Sequence, residues 1–291
     1  PSENSTTFGI PKANTTIAIA VQNITYGESA NITVTVENDA TGYITIRIDN
    51  IRNVTLPVIN GTVNWIVDNL PADNYTVYAN YSGDGKYNKN ETSKGFEISQ
   101  ISPEIKIIEV ISTADKNATI IVEIDPRVSE DITVNVNNKN YTAPIVGGVA
   151  VFTVDKLPVG KYDIVVNYAG DDNYTDRFKD TLIDGLTVIK VQDYEMNVTA
   201  VDVVVGQNTT ITVNVPKDAT GTVTVWVNGT KVTNSTIVNG VATLTLNKTV
   251  AGRYVVNATL SDDKYANQTV FTSYLVSKVE TPITITVVTK D

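Results

Sequence analysis

The chain has 291 residues and a formal net charge of −10 at pH 7, and it contains neither histidine nor cysteine. The charge argues against nucleic acid as a partner, because an acidic protein is repelled by phosphate. The missing residues remove the commonest general base, the commonest transition-metal ligand and every disulfide. No apolar run is long enough to span a bilayer, so we expect no membrane insertion in this segment. We also expect no cofactor.

Alternating strands form the first half of a repeated unit. Apolar residues at every second position in 31–36, 42–48 and 63–67 predict short strands with one buried face. The segment from Leu70 to Tyr75 then resembles the tyrosine corner of immunoglobulin-like (Ig-like) sandwiches, in which the tyrosine hydroxyl bonds the backbone upstream. Val77 stands where antibody domains carry a cysteine, so we expect aliphatic packing in place of a disulfide.

The corner recurs twice along the chain. Tyr75 has counterparts in Tyr162 and Tyr254, at spacings of 87 and 92 residues. Repetition at a nearly constant period marks one structural unit used several times. We therefore predict an all-β fold, a tandem array of three Ig-like antiparallel β-sandwiches with partial repeat strands at both termini. The predicted boundaries are 1–12 for the exit strand of a preceding repeat or an N-terminal extension, 13–101, 102–191 and 192–278 for Ig-like domains 1 to 3, and 279–291 for the entry strand of a following repeat or a donor strand.

Both ends of the chain resemble fragments of further repeats. Residues 8–12 are similar to the strand that ends the first unit, and residues 281–286 are similar to the strand that opens the second. Two explanations stay open: the chain was cut from a longer array, or its last strand completes the sheet of a neighbouring subunit. An exposed apolar strand invites such pairing. The donor-strand candidates are Ile283, Ile285 and Val287.

An acidic turn follows each corner strand, where the hairpin between strands F and G of an Ig-like fold belongs. Asp84-Gly85 predicts a tight turn. Carboxylates also offer oxygen ligands to Ca²⁺, but each turn supplies fewer than the roughly six to eight that the ion takes. We therefore predict turn geometry as their main role, with no metal site and no catalytic residue. The weak calcium candidates are Asp84, Asp171, Asp172, Asp262 and Asp263.

Asparagine sequons are unusually dense. Of 30 asparagines, 19 lie in Asn-x-Ser/Thr, against about six expected by chance from 41 threonines and 13 serines. Part of the excess follows from strand geometry, because positions i and i+2 share a face. Asparagine is depleted in strands, however, and many sequons fall at turns, so we predict a glycosylated exterior. The glycosylation candidates are Asn4, Asn14, Asn53, Asn60, Asn90, Asn117, Asn140, Asn173, Asn208, Asn228, Asn234, Asn247 and Asn267.

These motifs together resemble a known repeat family. Leu-Pro-x-Gly-x-Tyr, a Tyr-x-Gly-Asp-x-x-Tyr turn, Val-Asn-Gly-Val before an alternating strand and dense Asn-x-Thr are similar to the bacterial-type Ig-like repeats in large adhesin-like surface proteins of methanogenic archaea. The third unit departs from this pattern, because Thr249-Val250 replaces Leu-Pro and no glycine precedes Asp262. The resemblance implies an extracellular, cell-surface stalk, often glycosylated and without catalytic residues. The partners it implies are neighbouring repeats or identical subunits, with surface glycans or host or partner-cell surfaces as further possibilities.

Three functions agree with the sequence. The first is a structural or adhesive fibre of three units on the order of 100 Å long, and the second is a filament subunit that donates its terminal strand. The third is a carbohydrate-binding module, whose candidate aromatics are Tyr43, Tyr78, Tyr81 and Trp65. An enzyme is disfavoured, because adjacent acids in a turn do not form the opposed pair of a glycosidase. Lys106 is a conceivable donor for a Lys–Asn isopeptide cross-link, with a solvated lysine as the plainer alternative.

Overall fold

The computed structural model describes residues 9–128, 130–248 and 250–287, with the side chains of residues 178 and 179 excepted. These residues form 24 β-strands and no helix, and therefore no helix long and apolar enough to cross a membrane. The strands fall into three consecutive sets of eight, which we call units 1, 2 and 3.

The strand bounds follow in chain order. Unit 1 contains β1 (Ala18–Ala20), β2 (Ile24–Thr25), β3 (Ala30–Thr35), β4 (Tyr43–Ile48), β5 (Arg52–Pro57), β6 (Thr62–Val67), β7 (Asp73–Tyr81) and β8 (Asn90–Ser99). Unit 2 contains β9 (Ile105–Ile107), β10 (Val110–Thr113), β11 (Ala118–Ile124), β12 (Ile132–Val136), β13 (Lys139–Ala143), β14 (Val149–Val154), β15 (Gly160–Tyr168) and β16 (Arg177–Ile189). Unit 3 contains β17 (Asn197–Ala200), β18 (Val203–Val204), β19 (Asn208–Asn214), β20 (Thr222–Val227), β21 (Thr230–Thr236), β22 (Val241–Asn247), β23 (Gly252–Ser261) and β24 (Thr269–Ser277).

One topology is used three times. In each unit a three-stranded sheet packs against a five-stranded sheet, with the orders β1-β3-β6 and β2-β8-β7-β4-β5 in unit 1 and the equivalent orders in units 2 and 3. The predicted array of three Ig-like sandwiches is confirmed. One pair in each unit runs parallel, between its second and eighth strands (β2 with β8, β10 with β16, β18 with β24). Alternation cannot predict this pair, because it does not encode strand direction.

Each unit buries its own apolar core between its two sheets. Strand side chains alternate between faces, so Ile32 and Val34 of β3 point inward and are fully buried. Val77, Ile164 and Val256 are also fully buried two residues after the corner tyrosines, where a disulfide would otherwise lie. Burying each aliphatic side chain stabilises its unit by about 1.5–3 kcal/mol, so packing takes over from covalent bridging.

The acidic hairpin differs from its prediction. Asp84-Gly85 does not form a two-residue turn, since β7 ends at Tyr81 and β8 begins at Asn90. The left-handed backbone lies at Gly83 (φ 73°) rather than at Gly85. The longer loop arises because the Asp84 carboxylate binds backbone amides within it, as described below.

The described residues at either end of the chain lie outside the sheets. Residues 9–12 and 281–287 are exposed and form no strand. Of residues 1–12, predicted as an exit strand or an N-terminal extension, residues 1–8 lie outside the described part of the chain. The donor-strand candidates Ile283, Ile285 and Val287 are 88%, 82% and 81% exposed.

Candidate functional site

Each unit holds its corner tyrosine by the same hydrogen bond. The hydroxyl of Tyr75 donates to the Pro71 carbonyl at 3.0 Å, and its ring stacks on Phe96 with centroids 5.5 Å apart. The equivalent bonds are Tyr162 to the Pro158 carbonyl at 2.9 Å and Tyr254 to the Val250 carbonyl at 2.9 Å. Unit 3 makes this bond without the Leu-Pro dipeptide, because the acceptor is backbone.

The first acid of each hairpin ties the loop together. Asp84 accepts hydrogen bonds from the amides of Thr41, Lys86 and Tyr87, each at 2.7 Å. These hydrogen bonds, above all the one from the Thr41 amide, stabilise the carboxylate and hold the pKa of Asp84 well below its usual range. Asp171 accepts from the amides of residues 173 and 174 in the same way, at 2.8 Å.

Asp262 is the most enclosed of these acids, with 5% of its surface exposed. Its Oδ1 accepts from the amides of Lys264 and Tyr265, and its Oδ2 accepts from the amides of Thr220 and Gly221 at 2.8 and 2.7 Å. Burial raises the pKa of Asp262, but the four amide donors outweigh burial and leave the pKa lowered. The carboxylate therefore joins the F–G hairpin to the start of β20.

Three of the five calcium candidates, Asp84, Asp171 and Asp262, thus use their carboxylate oxygens to bind backbone amides. Asp172 and Asp263 are exposed neighbours of these acids. The described residues contain no group of three or more Asp, Glu, His or Cys side chains that could hold a metal ion. Turn geometry as the main role of these acids, with calcium ligation as the weak alternative, stays a prediction.

The hairpins also hold the segments that connect the units. Ile101 pairs with Tyr174, and Val191 pairs with Tyr265, each in a parallel bridge. At the second connection the Val191 amide donates to the Lys264 carbonyl, and the Ala266 amide donates to the Val191 carbonyl, both at 2.9 Å. The connecting residues are therefore bonded into the next unit and are not free linkers.

Junction 1, between units 1 and 2, combines aromatic and amide contacts. Tyr26 of unit 1 meets Tyr174 of unit 2 edge to face, with centroids 5.4 Å apart. The Arg127 guanidinium lies 5.0 Å from the Tyr26 ring centroid, a distance suited to a cation–π contact. The Ala72 amide of unit 1 donates to Asn173 Oδ1 at 3.0 Å. Tyr26 packs against the cores of both units and so links them.

Junction 2, between units 2 and 3, is built on charge. The Lys264 ammonium forms ion pairs with Asp115 of unit 2 and with Asp218 of its own unit. Asp115 and then Asp218 raise the pKa of Lys264. Tyr265 donates its hydroxyl to Asp218 at 2.7 Å. A cavity of about 680 Å³ borders this ion pair, lined in part by Leu157, Pro158 and Val159.

Unit 1 carries the same charged arrangement at its N-terminal end. Lys86 pairs with Asp39, and Tyr87 donates its hydroxyl to Asp39 at 2.7 Å. Ala13 pairs with Tyr87 as Val191 pairs with Tyr265. These junction residues were missed by the sequence reasoning. One sequence signal could have indicated them. The last tyrosine of each acidic hairpin (Tyr87, Tyr174 and Tyr265) is preceded by a polar residue, which is Lys86, Asn173 or Lys264.

The glycosylation candidates divide by exposure. Asn4 lies outside the described residues, and Asn173 is half-buried in junction 1. The other candidates are exposed: Asn14, Asn53, Asn60, Asn90, Asn117, Asn140, Asn208, Asn228, Asn234, Asn247 and Asn267. Asn228 and Gly229 have φ of 47° and 79° and form the two-residue turn between β20 and β21, where Asn228 Oδ1 accepts a hydrogen bond from the Val255 amide at 2.8 Å.

The aromatic candidates for sugar binding are not brought together. Tyr81 is fully buried and donates to the Thr41 carbonyl, and Trp65 packs against the core of unit 1. Tyr43 and Tyr78 are 56% and 40% exposed on the outer face of the five-stranded sheet.

The candidate cross-linking lysine forms an ordinary ion pair. Lys106 bonds Glu123 at 2.8 Å, and its side chain is 68% exposed. Among the described residues, Lys106 makes no hydrogen bond with an asparagine. A solvated Lys106, with the isopeptide cross-link as its alternative, stays a prediction.

Comparison with known proteins gives one family match. Residues 17–98 match the bacterial Ig-like domain (group 3). No curated protein matches the chain.

Solved structures with similar architecture share little sequence. One is a 1.5-MDa bacterial ice-binding adhesin studied for host cell surface retention, with 13% identity, a TM-score of 0.34, and 92% of this chain and 99% of that chain covered. Another is a tetra-tandem repeat in the extending region of a large adhesion protein, with 16% identity, a TM-score of 0.46, and 91% and 74% covered. A third is the D1–D4 ectodomain of ICAM-5, with 12% identity, a TM-score of 0.46, and 90% and 77% covered. At these scores the likenesses carry no weight for function, and the match shows that residues 17–98 of unit 1 are similar to the bacterial Ig-like domain (group 3).

Proposed function

We propose that the chain is a non-enzymatic, cell-surface stalk of an adhesin-like protein, in which the three units form an extended rod. We assign the units to residues 13–101, 102–191 and 192–278. The resemblance to surface proteins of methanogenic archaea and the family match in unit 1 both agree with this role. A spacer works by its length and stiffness, which places the functional residues at the junctions.

The bonding of the connecting segments carries this proposal. Val191 is tied by two backbone hydrogen bonds to the hairpin of unit 3, and Lys264 of that hairpin is paired with Asp115 of unit 2. Each contact restricts the angle between successive units. Because each unit has a core of its own, the junctions decide whether the array stays extended.

A pair of distance labels tests this proposal. The chain contains no cysteine, so cysteines at Asn38 of unit 1 and Gln207 of unit 3, both exposed, accept labels at only those positions. A stiff array gives one narrow distance distribution. A broad distribution reaching short distances would show free hinges and contradict the spacer role.

Glycosylation of the exterior belongs to the same proposal. Eleven of the thirteen candidate asparagines are exposed, which gives a transferase access to their amides. Asn173 is the exception, because it is half-buried and accepts a hydrogen bond from unit 1. We expect glycans at the exposed candidates and least occupancy at Asn173, which mass spectrometry of glycopeptides measures site by site.

A second candidate function is a filament subunit that donates residues 279–291 to a neighbouring copy. The observation in its favour is the exposure of Ile283, Ile285 and Val287, which share one face of an extended chain. Adding such a strand to another sheet would bury all three. Deleting residues 279–291 should then abolish assembly and leave the three units folded, whereas filaments formed by the shortened chain would exclude strand donation.

A further inference from the structure

The outer face of unit 3 carries apolar side chains that the core does not use. On the solvent side of the five-stranded sheet, Phe271, Val255 and Leu275 are 66%, 47% and 41% exposed. Trp226 of β20 is half-buried on the same side and is not among the residues packed against the core of unit 3. We call these four residues the apolar face. Exposed apolar residues grouped on one face of a protein mark an interaction site.

Asn257 is half-buried at the centre of this face, and unlike Asn173 it makes no side-chain contact with another unit among the described hydrogen bonds. In the strand register it stands opposite Trp226 on one side and opposite Phe271 on the other. Side chains opposite each other have Cβ atoms about 4.5–5.5 Å apart, so Trp226 and Phe271 leave the sheet on either side of Asn257. That amide makes no side-chain hydrogen bond with the described residues. Asn257-Ala258-Thr259 is an Asn-x-Thr sequon.

The same row of the sheet carries a sequon in every unit. In unit 1 the row contains Asn53, which faces Arg47, and in unit 2 it contains Asn140, which faces Asn135. Both sequons lie on edge strands beside polar neighbours. In unit 3 the edge position holds Lys231, and the sequon asparagine stands on the central strand between two rings.

We propose that Asn257 carries an N-linked glycan whose first sugar packs against Trp226 and Phe271 and covers the apolar face. This inference rests on the proposed glycosylation of the exterior. A sugar ring offers C–H groups on one face and hydroxyls at its rim. The C–H face therefore packs on an aromatic ring while the hydroxyls stay in water.

Attachment requires an activated sugar phosphate and a transferase from the cell. Asn257 Nδ2 forms a bond to the anomeric carbon of the donor sugar, and the bond from that carbon to the phosphate oxygen breaks. Nδ2 releases one proton, and the phosphate leaves with the bonding electron pair. The product keeps one N–H on the amide.

The test uses the full chain secreted from a eukaryotic cell line that glycosylates Asn-x-Thr, with Trp65→Phe as the background. Only two tryptophans are present, so Trp226 is then the sole indole reporter. Glycopeptide mass spectrometry gives the occupancy of Asn257. Acrylamide quenching of Trp226 is compared before and after enzymatic glycan removal, and between Asn257→Gln and the control Asn267→Gln. Asn267 is an exposed sequon of the same unit.

We expect Asn257 to be occupied, and we expect glycan removal and Asn257→Gln to increase Trp226 quenching and shift its emission to the red. Asn267→Gln should change neither. The proposal falls if Asn257 is bare while Asn267 is modified, or if quenching is the same with and without the glycan. It also falls if the unmodified chain dimerises and shields Trp226, because a second copy would then be the occupant. If no sequon is modified, the proposed glycosylated exterior fails as well.

Discussion

Lys264 of unit 3 reaches across junction 2 and forms an ion pair with Asp115 of unit 2 while it also holds Asp218 of its own unit. One side chain thereby joins a hairpin, a neighbouring loop and the preceding unit. Lys86 makes the equivalent pair with Asp39 in unit 1, where no preceding unit lies among the described residues. The two lysines therefore separate the effect of the junction from the effect of the hairpin.

We predict that Lys264→Gln loosens junction 2 without unfolding either unit. The lysine is partly exposed and its partners are more so, so the free energy of unfolding should change by less than about 1 kcal/mol. The distance distribution between labels on units 2 and 3 should broaden, and high salt should broaden it in the parent chain too. Lys86→Gln is the matched control and should leave that distribution unchanged. An equally narrow distribution in Lys264→Gln would show that the ion pair does not set the angle.

We predict that Asp262→Asn lowers the stability of unit 3 by about 1–3 kcal/mol, because an amide nitrogen then faces two backbone N–H donors that lose their acceptor. Urea unfolding followed by Trp226 fluorescence in a Trp65→Phe background measures this change. Asp263→Asn, at the exposed neighbouring acid, should change stability little. Equal stability of the two variants would contradict the assigned role of Asp262.

The same carboxylate predicts an acid-sensitive unit 3. The pKa of Asp262 is lowered in the folded state, so its contribution is complete above the unfolded-state pKa of about 3.9 and is lost as the pH falls through the lower folded value. Between pH 5 and pH 2 the parent should therefore lose more stability than Asp262→Asn does. Parallel losses in the two proteins would place the acid sensitivity elsewhere.

We predict that Tyr75→Phe lowers the stability of unit 1 by about 0.5–1.5 kcal/mol, because the bond to the Pro71 carbonyl is lost while the ring still stacks on Phe96. Trp65 fluorescence in a Trp226→Phe background reports unit 1. Tyr78→Phe removes a hydroxyl from an exposed tyrosine of the same strand and serves as the control. If Tyr75→Phe lowers the free energy of unfolding no more than Tyr78→Phe does, the Tyr75 hydrogen bond does not stabilise unit 1.

We predict that Gly221→Ala lowers the stability of unit 3 by at least about 1–3 kcal/mol. A Cβ at Gly221 would lie 1.9 Å from the Ser261 carbonyl oxygen, so the F–G hairpin would have to move. At Gly252 of the same unit a Cβ meets nothing within 4 Å, which makes Gly252→Ala the control. Urea unfolding of both variants decides between a steric and a general glycine effect.

The sequence predicted most of the fold because the signals for strands are local. Alternation located β3, β4 and β6, and the corner motif located Tyr75. The parallel pair between β2 and β8 left no such signal, because its strands are far apart in the chain and too short for a pattern. The turn at Asp84 differed because side-chain acceptors, which a dipeptide rule ignores, set the loop length.

The junctions were harder to predict than the units. Ala72 and Asn173 are 101 positions apart, and only folding of both units brings them together. The outward position of Trp226 was also not predicted, because an alternating strand can hold an aromatic residue on its buried face or on its solvent face. Strand register was needed to place it beside Asn257.

Small-angle X-ray scattering measures whether the junctions keep the three units extended. Three units of about 35–40 Å each predict a maximum dimension on the order of 100 Å and a radius of gyration of about 30 Å. A compact globule of this length would have a radius of gyration of about 19 Å. A value near 30 Å, insensitive to concentration, supports the rod, and a value near 19 Å would contradict it.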